Sequence, residues 1–130
     1  MSSIARRTML GAWVFLGISL GHSVAVNAEN RGMISYNEDV RPIFQIRCLE
    51  CHSGNGSGVV GSGLNMETYE NLMRGTRYGP IIIPGNAMVS NLNVLVEGRA
   101  GIRMPHNRKR LTTCEIDILR DWVNQGARNN

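Results

Sequence analysis

Cys48-Leu49-Glu50-Cys51-His52 is the stretch of sequence that decides the predicted fold. Two cysteines three residues apart, followed directly by a histidine, are the attachment signal of a c-type haem. At a helix end the two thiols lie on nearly one face, so both can form thioethers with one porphyrin edge. His52 is then the proximal iron ligand, and its other ring nitrogen is expected to donate to a carbonyl oxygen that fixes the tautomer. The motif therefore predicts one covalently attached haem c.

Two other interpretations of the same cysteines compete with the haem. A redox disulfide between Cys48 and Cys51 is disfavoured because no strand, helix, strand pattern surrounds the pair. A zinc site completed by His106 and Cys114 lacks the second paired motif that structural zinc domains use. The haem is the favoured interpretation.

The N-terminus has the features of a secretory signal. Arg6 and Arg7 precede an apolar stretch from Met9 to Leu20, and Val26-Asn27-Ala28 resembles an AxA cleavage site. The apolar stretch is short for a membrane span, which needs about 20 residues, so cleavage after Ala28 is preferred over a permanent anchor. We therefore predict export to the periplasm of a bacterium. The predicted segments are a signal peptide over 1–28, a short tail over 29–34, one domain over 35–127 and a C-terminal tail over 128–130.

The charge of the chain is modest. It has 14 basic and 10 acidic residues and a net charge of +4, and loss of Arg6 and Arg7 with the signal peptide lowers this to about +2. That balance, without interleaved aromatic and basic residues, argues against nucleic-acid binding. A domain of this size has a thin core, which a haem would fill.

Capped helical patterns recur along the chain, and an alternating strand pattern of any length is missing, so an all-α fold is predicted. The first helix is expected to begin near Asn37, with a capping box from Ser35 to Glu38 and Asp39 at its positive end. Pro42 is expected to bend its first turns unless the helix starts later. Its apolar stripe comprises Val40, Ile43, Phe44 and Cys48.

Three further helices are predicted from their ends. Two short ones run from about Thr68 to Arg74 and from about Asn91 to Glu97, and Gly75 and Gly98 end them. The final helix has the clearest signature, since Thr112 caps it and Glu115 completes a capping box. Its apolar stripe is expected to pack on the first helix and bring the chain ends together. That stripe comprises Ile116, Leu119, Trp122 and Val123.

The segments between these helices are predicted to surround the cofactor. Ser53 to Gly63 is too rich in glycine for a helix and is predicted to be a loop folding over the haem. Leu64 and Met66 are expected to pack on the porphyrin. The apolar turn from Gly79 to Gly85 is expected to pack in the core, to press on the haem or to offer a carbonyl to His52.

From Ser35 to Ala127 the sequence resembles class I c-type cytochromes, and especially the small planctomycete-type cytochrome c domain. The elements that carry the resemblance are VRPIF, CLECH, SGLNM, IPGNAMVSNL, RMP, LTTCEIDIL and DWVNQGA, in the expected order. The resemblance implies the cytochrome c fold, with packed N- and C-terminal helices around one haem. It also implies a methionine as second axial ligand and electron transfer as the role.

Met104 is the candidate for the second axial ligand, because it precedes Pro105 and occupies the MP position of the family. A thioether is soft and stabilises ferrous iron, which raises the potential relative to two histidines. His106, two residues further on, is the rival ligand, although we expect it to be exposed beside the haem edge. Met66, Met73 and Met88 are expected to fill gaps in the core.

Cations surround Met104 in the sequence. They are expected either to steer an acidic redox partner to the exposed haem edge or to form a solvated face. The five residues are Arg99, Arg103, Arg108, Lys109 and Arg110. The haem propionates have four candidate partners, Arg74, Arg77, Tyr78 and Trp122. Cys114 is expected to be a half-buried packing residue, and no function is predicted for it.

An exported mono-haem electron carrier with His52 and Met104 as axial ligands is the favoured function, and it needs no catalytic residue. One alternative is a haem enzyme or a gas or redox sensor, whose sixth iron position opens to a ligand. A small zinc-binding domain is a weaker alternative.

Overall fold

The computed structural model of the protein describes residues 32–130, and the predicted signal peptide, residues 1–28, lies outside this range. A π-helical turn over Tyr36–Val40 is followed by six α-helices. They are α1 (Arg41–Arg47), α2 (Leu49–His52), α3 (Ser57–Ser62), α4 (Tyr69–Arg74), α5 (Asn91–Glu97) and α6 (Thr113–Asn124). Between residues 32 and 130 there is no strand beyond one isolated bridge between Thr76 and Gly79. The predicted all-α class is confirmed.

The first helical turn of the described residues, Tyr36–Val40, is π-helical, which the sequence pattern did not predict. The Ser35 hydroxyl caps it by accepting a hydrogen bond from the Glu38 backbone N–H at 3.2 Å. The carboxylate that returns to the Ser35 N–H, at 2.8 Å, belongs to Asp39, so the expected box with Glu38 is wrong in its second partner. The α-helical part begins only at Arg41, which places Pro42 in a first turn, where its missing N–H costs no hydrogen bond.

The aromatic side chains of the two chain ends form the centre of the core. The Trp122 ring of α6 lies 5.6 Å from the Tyr36 ring and 6.4 Å from the Phe44 ring, measured between centroids. Trp122 is 1% exposed, and its indole N–H donates to the Arg128 carbonyl at 2.9 Å. Burying one large apolar side chain stabilises a fold by about 1.5–3 kcal/mol. The predicted packing of the first helix against the last is therefore confirmed.

Hydrogen bonds also join the two ends of the described chain. The carbonyl of Asn130 accepts from the Asn37 N–H at 3.1 Å and from the Ser35 hydroxyl at 2.9 Å. Its side-chain oxygen accepts from the Tyr36 N–H at 3.0 Å. The last residues thus belong to the hydrogen-bonded structure of the first turn.

The helix ends predicted for α4, α5 and α6 are confirmed. Thr68 and Ser90 are the N-caps of α4 and α5, and Gly75 and Gly98 follow their last residues with positive φ. In α6 the Glu115 carboxylate accepts from the Thr112 N–H at 2.6 Å, and the Thr112 hydroxyl accepts from the Glu115 N–H at 3.2 Å. Such caps typically stabilise a helix by about 1 kcal/mol.

The prediction of a loop over Ser53 to Gly63 is wrong for its second half, because Ser57–Ser62 forms α3. Gly63, with a φ of 80°, ends this helix. Glycine disfavours a helix by about 1 kcal/mol relative to alanine, so tertiary contacts rather than local preference hold α3 in place. Within residues 32–130, no helix is both long and apolar enough to cross a bilayer.

Candidate cofactor site

One cavity of about 390 Å³ brings the predicted site residues together. Its size lies within the range of about 300–1,000 Å³ that is usual for ligand and cofactor pockets. Cys48, Cys51, His52 and Met104 all line it. The remaining lining residues come from the end of α1, from α2 and α3, from the segment after α3 and from the loop before α6. They are Arg47, Glu50, Ser57, Gly58, Gly61, Ser62, Leu64, Met66, Pro105, His106 and Arg108.

The two cysteines lie at the junction of α1 and α2, on one wall of the cavity. The Cys48 carbonyl accepts from the backbone N–H groups of Cys51 and His52, at 3.1 and 3.0 Å, so one tight helical turn holds all three residues. Both thiols are half-buried, and neither forms a disulfide within the described chain. Burial raises the pKa of the Cys48 thiol to about 12, against the opposing effect of the neighbouring Arg47 cation.

The orientation of the His52 ring is set by a carbonyl, as the sequence analysis predicted. His52 Nδ1 lies 3.1 Å from the Leu64 carbonyl oxygen, and because a carbonyl only accepts, Nδ1 carries the proton. Nε2 is left with its lone pair for a metal. The alternative that the turn from Gly79 to Gly85 supplies this carbonyl is wrong, since Leu64 supplies it. Ile81 and Ile82 of that turn are buried in the core, which was the other expected role.

Gly58 of α3 contacts the face of the His52 imidazole. A β-carbon placed on Gly58 would lie 2.5 Å from His52 Cε1 and 2.6 Å from Nδ1. Only glycine permits this approach, because β-carbons essentially never come within 3.0 Å of another heavy atom. The glycine at position 58, one of those that argued against a helix, is thus explained by contact between α3 and the histidine.

Two methionines line the cavity, and different segments hold them. The Met66 N–H donates to the His52 carbonyl at 2.8 Å, which ties Met66 to the histidine side of the cavity. The Met104 N–H donates to the Leu95 carbonyl of α5 at 3.1 Å, and its half-buried side chain packs on the core. Met66 and Met73 fill the core as predicted, whereas Met88 is 70% exposed and that prediction is wrong.

The sequence of this region matches a known family. A family model described as planctomycete cytochrome C matches residues 48–107, which include the CLECH motif and Met104. Residues 48–107 thus match the planctomycete-type cytochrome c domain that the sequence resembles. No curated protein and no solved structure matches the chain. The match to this family suggests a haem-binding electron carrier, and cytochrome c domains are typically exported.

The loop after Met104 forms the mouth of the cytochrome cavity. His106 is exposed and lines this mouth, as predicted. Arg108 forms an ion pair with Glu50, the residue between the two cysteines. Both side chains are well exposed, so the pair adds little stability. It nevertheless links the loop to the motif helix α2.

The cations expected at a docking surface differ in their partners. Arg99 pairs with Glu97 and donates to the Met88 carbonyl at 2.8 Å. Arg103 is half-buried, and its Nε has no hydrogen-bond partner within residues 32–130. Lys109 and Arg110 are exposed beside the loop. Because Arg108 is paired with Glu50, Lys109 and Arg110 are the exposed cations near the cavity mouth that have no ion pair within residues 32–130.

Arg47 is the cavity residue that the sequence analysis missed. Its guanidinium donates to the Lys109 carbonyl at 3.2 Å and lies 3.5 Å from the Glu115 carboxylate. It thereby joins the haem-motif segment to the start of α6. Its position directly before Cys48 was the signal that could have identified it.

The candidates for the propionates lie elsewhere. Within the described part of the chain, the cavity lining includes none of Arg74, Arg77, Tyr78 and Trp122. Arg77 donates to the Val60 carbonyl of α3 at 2.7 Å, and Trp122 is bonded to Arg128 as described above.

The zinc interpretation and the expectation for Cys114 also fail. Between residues 32 and 130, no three His, Cys, Asp or Glu side chains lie close enough to hold a metal ion. Cys114, the second residue of α6, is exposed rather than half-buried.

Proposed function

We propose that the protein is an exported mono-haem cytochrome c that transfers single electrons, with His52 and Met104 as the axial ligands. The observation that carries the proposal is that both cysteines of the attachment motif, the histidine and Met104 line one cavity. The protonation of His52 Nδ1 supports it, because Nε2 is then the free ligand nitrogen.

Each of these side chains has a distinct role in the proposal. Cys48 and Cys51 form the thioethers that hold the cofactor, and the Leu64 carbonyl keeps the His52 ring in one orientation. Met104 supplies a soft thioether that favours the ferrous state. When bound, the haem supplies a one-electron couple. The role requires no acid, base or nucleophile, and we therefore propose a carrier rather than an enzyme.

The partner is proposed to be a redox protein with an acidic surface. Arg108, Lys109 and Arg110 lie on the loop between Met104 and α6, and Arg108 lines the cavity. Opposite charge beside the site of electron exit speeds encounter and orients the partner. Arg103 contributes less to this surface because it is half-buried. Arg99 and Arg108 are each paired with a glutamate, so Lys109 and Arg110 supply most of the exposed positive charge.

Export to the bacterial periplasm is part of the proposal. Residues 1–28 are proposed to be a cleaved signal peptide, on the basis of Arg6, Arg7, the apolar stretch and Val26-Asn27-Ala28. The mass of the N-terminal peptide of the secreted protein tests this directly. A chain that begins at Glu29 is expected, and a retained Met1 contradicts cleavage.

The three cysteines of the chain provide the test of haem attachment. The protein is secreted from a host that matures c-type cytochromes, and covalent haem is measured as the pyridine haemochrome after acid and organic extraction. Cys48→Ser and Cys51→Ser are expected each to remove one thioether, which shifts the haemochrome band towards that of a vinyl haem, or to abolish attachment. Cys114→Ser is the matched control and is expected to retain both thioethers. Absence of covalent haem from the matured wild type would contradict the proposal.

A haem sensor or enzyme with an opening sixth position is the second candidate. The observation that favours it is that exposed His106 lines the cavity two residues from Met104. Rapid binding of carbon monoxide to the reduced protein at neutral pH, altered by His106→Ala, would support this candidate over the carrier.

A further inference from the structure

Ser62, the last residue of α3, has a side chain that forms two hydrogen bonds at once. Its hydroxyl donates to the Gly58 carbonyl at 2.7 Å and accepts from the Leu64 N–H at 3.2 Å. The side chain is half-buried and lines the cavity. The hydroxyl therefore uses its single donor and one of its two acceptor lone pairs.

The two residues that Ser62 joins both contact the His52 ring. Gly58 lies against the imidazole face, and the Leu64 carbonyl accepts from Nδ1 at 3.1 Å. A single hydroxyl is thus bonded both to Gly58, which contacts the imidazole face, and to Leu64, whose carbonyl accepts from Nδ1. It fixes the positions of these two residues relative to each other.

The far side of this arrangement is anchored by Arg77. Its backbone N–H donates to the Ser62 carbonyl at 2.9 Å, and its guanidinium donates to the Val60 carbonyl at 2.7 Å. These bonds satisfy carbonyls at the C-terminal end of α3, which a helix leaves unpaired. The end of α3 is consequently restrained, and the hydrogen bond from the Leu64 N–H to the Ser62 hydroxyl ties Leu64 to it.

We propose that Ser62 is a positioning residue for His52, which sets the strength of the Nδ1 hydrogen bond and thereby the redox potential of the bound haem. The inference rests on the proposed function. It concerns the second layer of residues around the histidine and adds a determinant that the attachment motif does not contain.

The direction of the effect follows from the chemistry of the imidazole. A stronger Nδ1–H hydrogen bond makes the ring a more basic ligand, which favours ferric iron and lowers the potential. Without the Ser62 hydroxyl, the Leu64 N–H loses its hydrogen-bond acceptor. The position of Leu64 is then less restrained, and the hydrogen bond from Nδ1 to its carbonyl weakens. The potential then rises.

A purely structural role for Ser62 has a different signature. A helical serine often bonds the carbonyl four residues before it, and this affects local stability alone. Loss of such a bond changes the free energy of unfolding and leaves the potential unaltered. The potential and the exchange of the Nδ1 proton therefore separate the two roles.

The experiment compares Ser62→Ala, Ser62→Thr and Thr113→Ala in the matured holoprotein. Thr113 is the control, because it is exposed, does not line the cavity and has no side-chain hydrogen bond within residues 32–130. Ser62→Ala is expected to shift the ratio of oxidised to reduced protein about threefold at a fixed solution potential. This equals a rise of about 30 mV, since a tenfold change is 59 mV for one electron.

A second readout is the exchange of the His52 Nδ1 proton with deuterium, followed by NMR. It is expected to be about tenfold faster in Ser62→Ala and unchanged in Thr113→Ala. Ser62→Thr keeps a hydroxyl that can bond the carbonyl four residues back, so it is expected to restore both values. If Ser62→Ala does not accumulate, Ser62→Cys, whose thiol is a weaker donor, is expected to give an intermediate shift.

A potential and an exchange rate in Ser62→Ala equal to those of Thr113→Ala, or a lower potential, would overturn the positioning role. That outcome leaves the cytochrome proposal standing, because the haem is still attached. Absence of covalent haem from the wild type instead overturns the proposed function itself.

Discussion

Gly58 and His52 lie so close together that a β-carbon on the glycine would come within 2.5 Å of the imidazole Cε1. The contact explains why α3 has a glycine at position 58 beside the haem motif. It also makes Gly58 the position at which the smallest possible side chain disturbs the proposed proximal ligand.

Gly58→Ala is expected to destabilise the holoprotein. Overpacking of this kind costs about 1–3 kcal/mol, which exceeds the roughly 1 kcal/mol that alanine gains over glycine in a helix. Denaturant unfolding measures the change. Gly101→Ala is the control, because a β-carbon there meets no atom within 4 Å. A Gly58→Ala protein more stable than wild type would show that the contact is absent.

Trp122→Ala is expected to cost about 3–5 kcal/mol in the free energy of unfolding, as is usual for a buried tryptophan in a core. The ring packs on Tyr36 and Phe44 and joins the two ends of the domain. Tyr78, which is 84% exposed, provides the control, and Tyr78→Ala is expected to change stability by less than about 0.5 kcal/mol. Similar losses for the two variants would contradict the described core.

Thr112→Ala is expected to cost about 1 kcal/mol, because the Glu115 N–H loses its acceptor. The neighbouring Thr113 is the control, since it is exposed at the first position of α6 and does not cap the helix. Thermal unfolding of Thr112→Ala and Thr113→Ala compares the two sites. Equal stability of the two variants would refute the capping box.

These caps show which parts of the fold local sequence predicts. The ends of α4, α5 and α6 depend on residues within one turn, such as Thr68, Ser90 and Thr112, and their positions were predicted correctly. The helix α3 was missed because local propensity argues against its glycines, one of which, Gly58, is required by a contact with His52.

The candidate site divides in the same way. Cys48, Cys51, His52 and Met104 follow from the motif and the resemblance, and the structure brings them to one cavity. Arg47 and the Leu64 carbonyl were not identified, because their roles depend on segments brought together by folding. The Arg47 guanidinium donates to the Lys109 carbonyl, 62 residues away in the sequence. The Leu64 carbonyl could not be identified from the sequence because every residue has a backbone carbonyl.

Charge reversal beside the cavity mouth is expected to slow reaction with anionic partners. In Lys109→Glu with Arg110→Glu, the oxidation rate of the reduced protein by hexacyanoferrate(III) is expected to fall about tenfold at low ionic strength. The difference is expected to shrink at high salt, where exposed charges are screened. Arg74→Glu with Arg128→Glu, at two exposed positions outside the cavity, is the control, because it changes the net charge by the same amount. Equal slowing by this control would show that net charge alone acts.

The central claim is that His52 and Met104 fill both axial positions of one haem. The most direct test is the near-infrared spectrum of the ferric holoprotein, which shows a charge-transfer band when a methionine sulfur binds the iron. Wild type, the exposed control Met88→Ala and His106→Ala are expected to show the band and to resist carbon monoxide when reduced. Met104→Ala is expected to lose the band and bind carbon monoxide. A wild-type protein without the band, or a Met104→Ala protein that keeps it, would contradict the account.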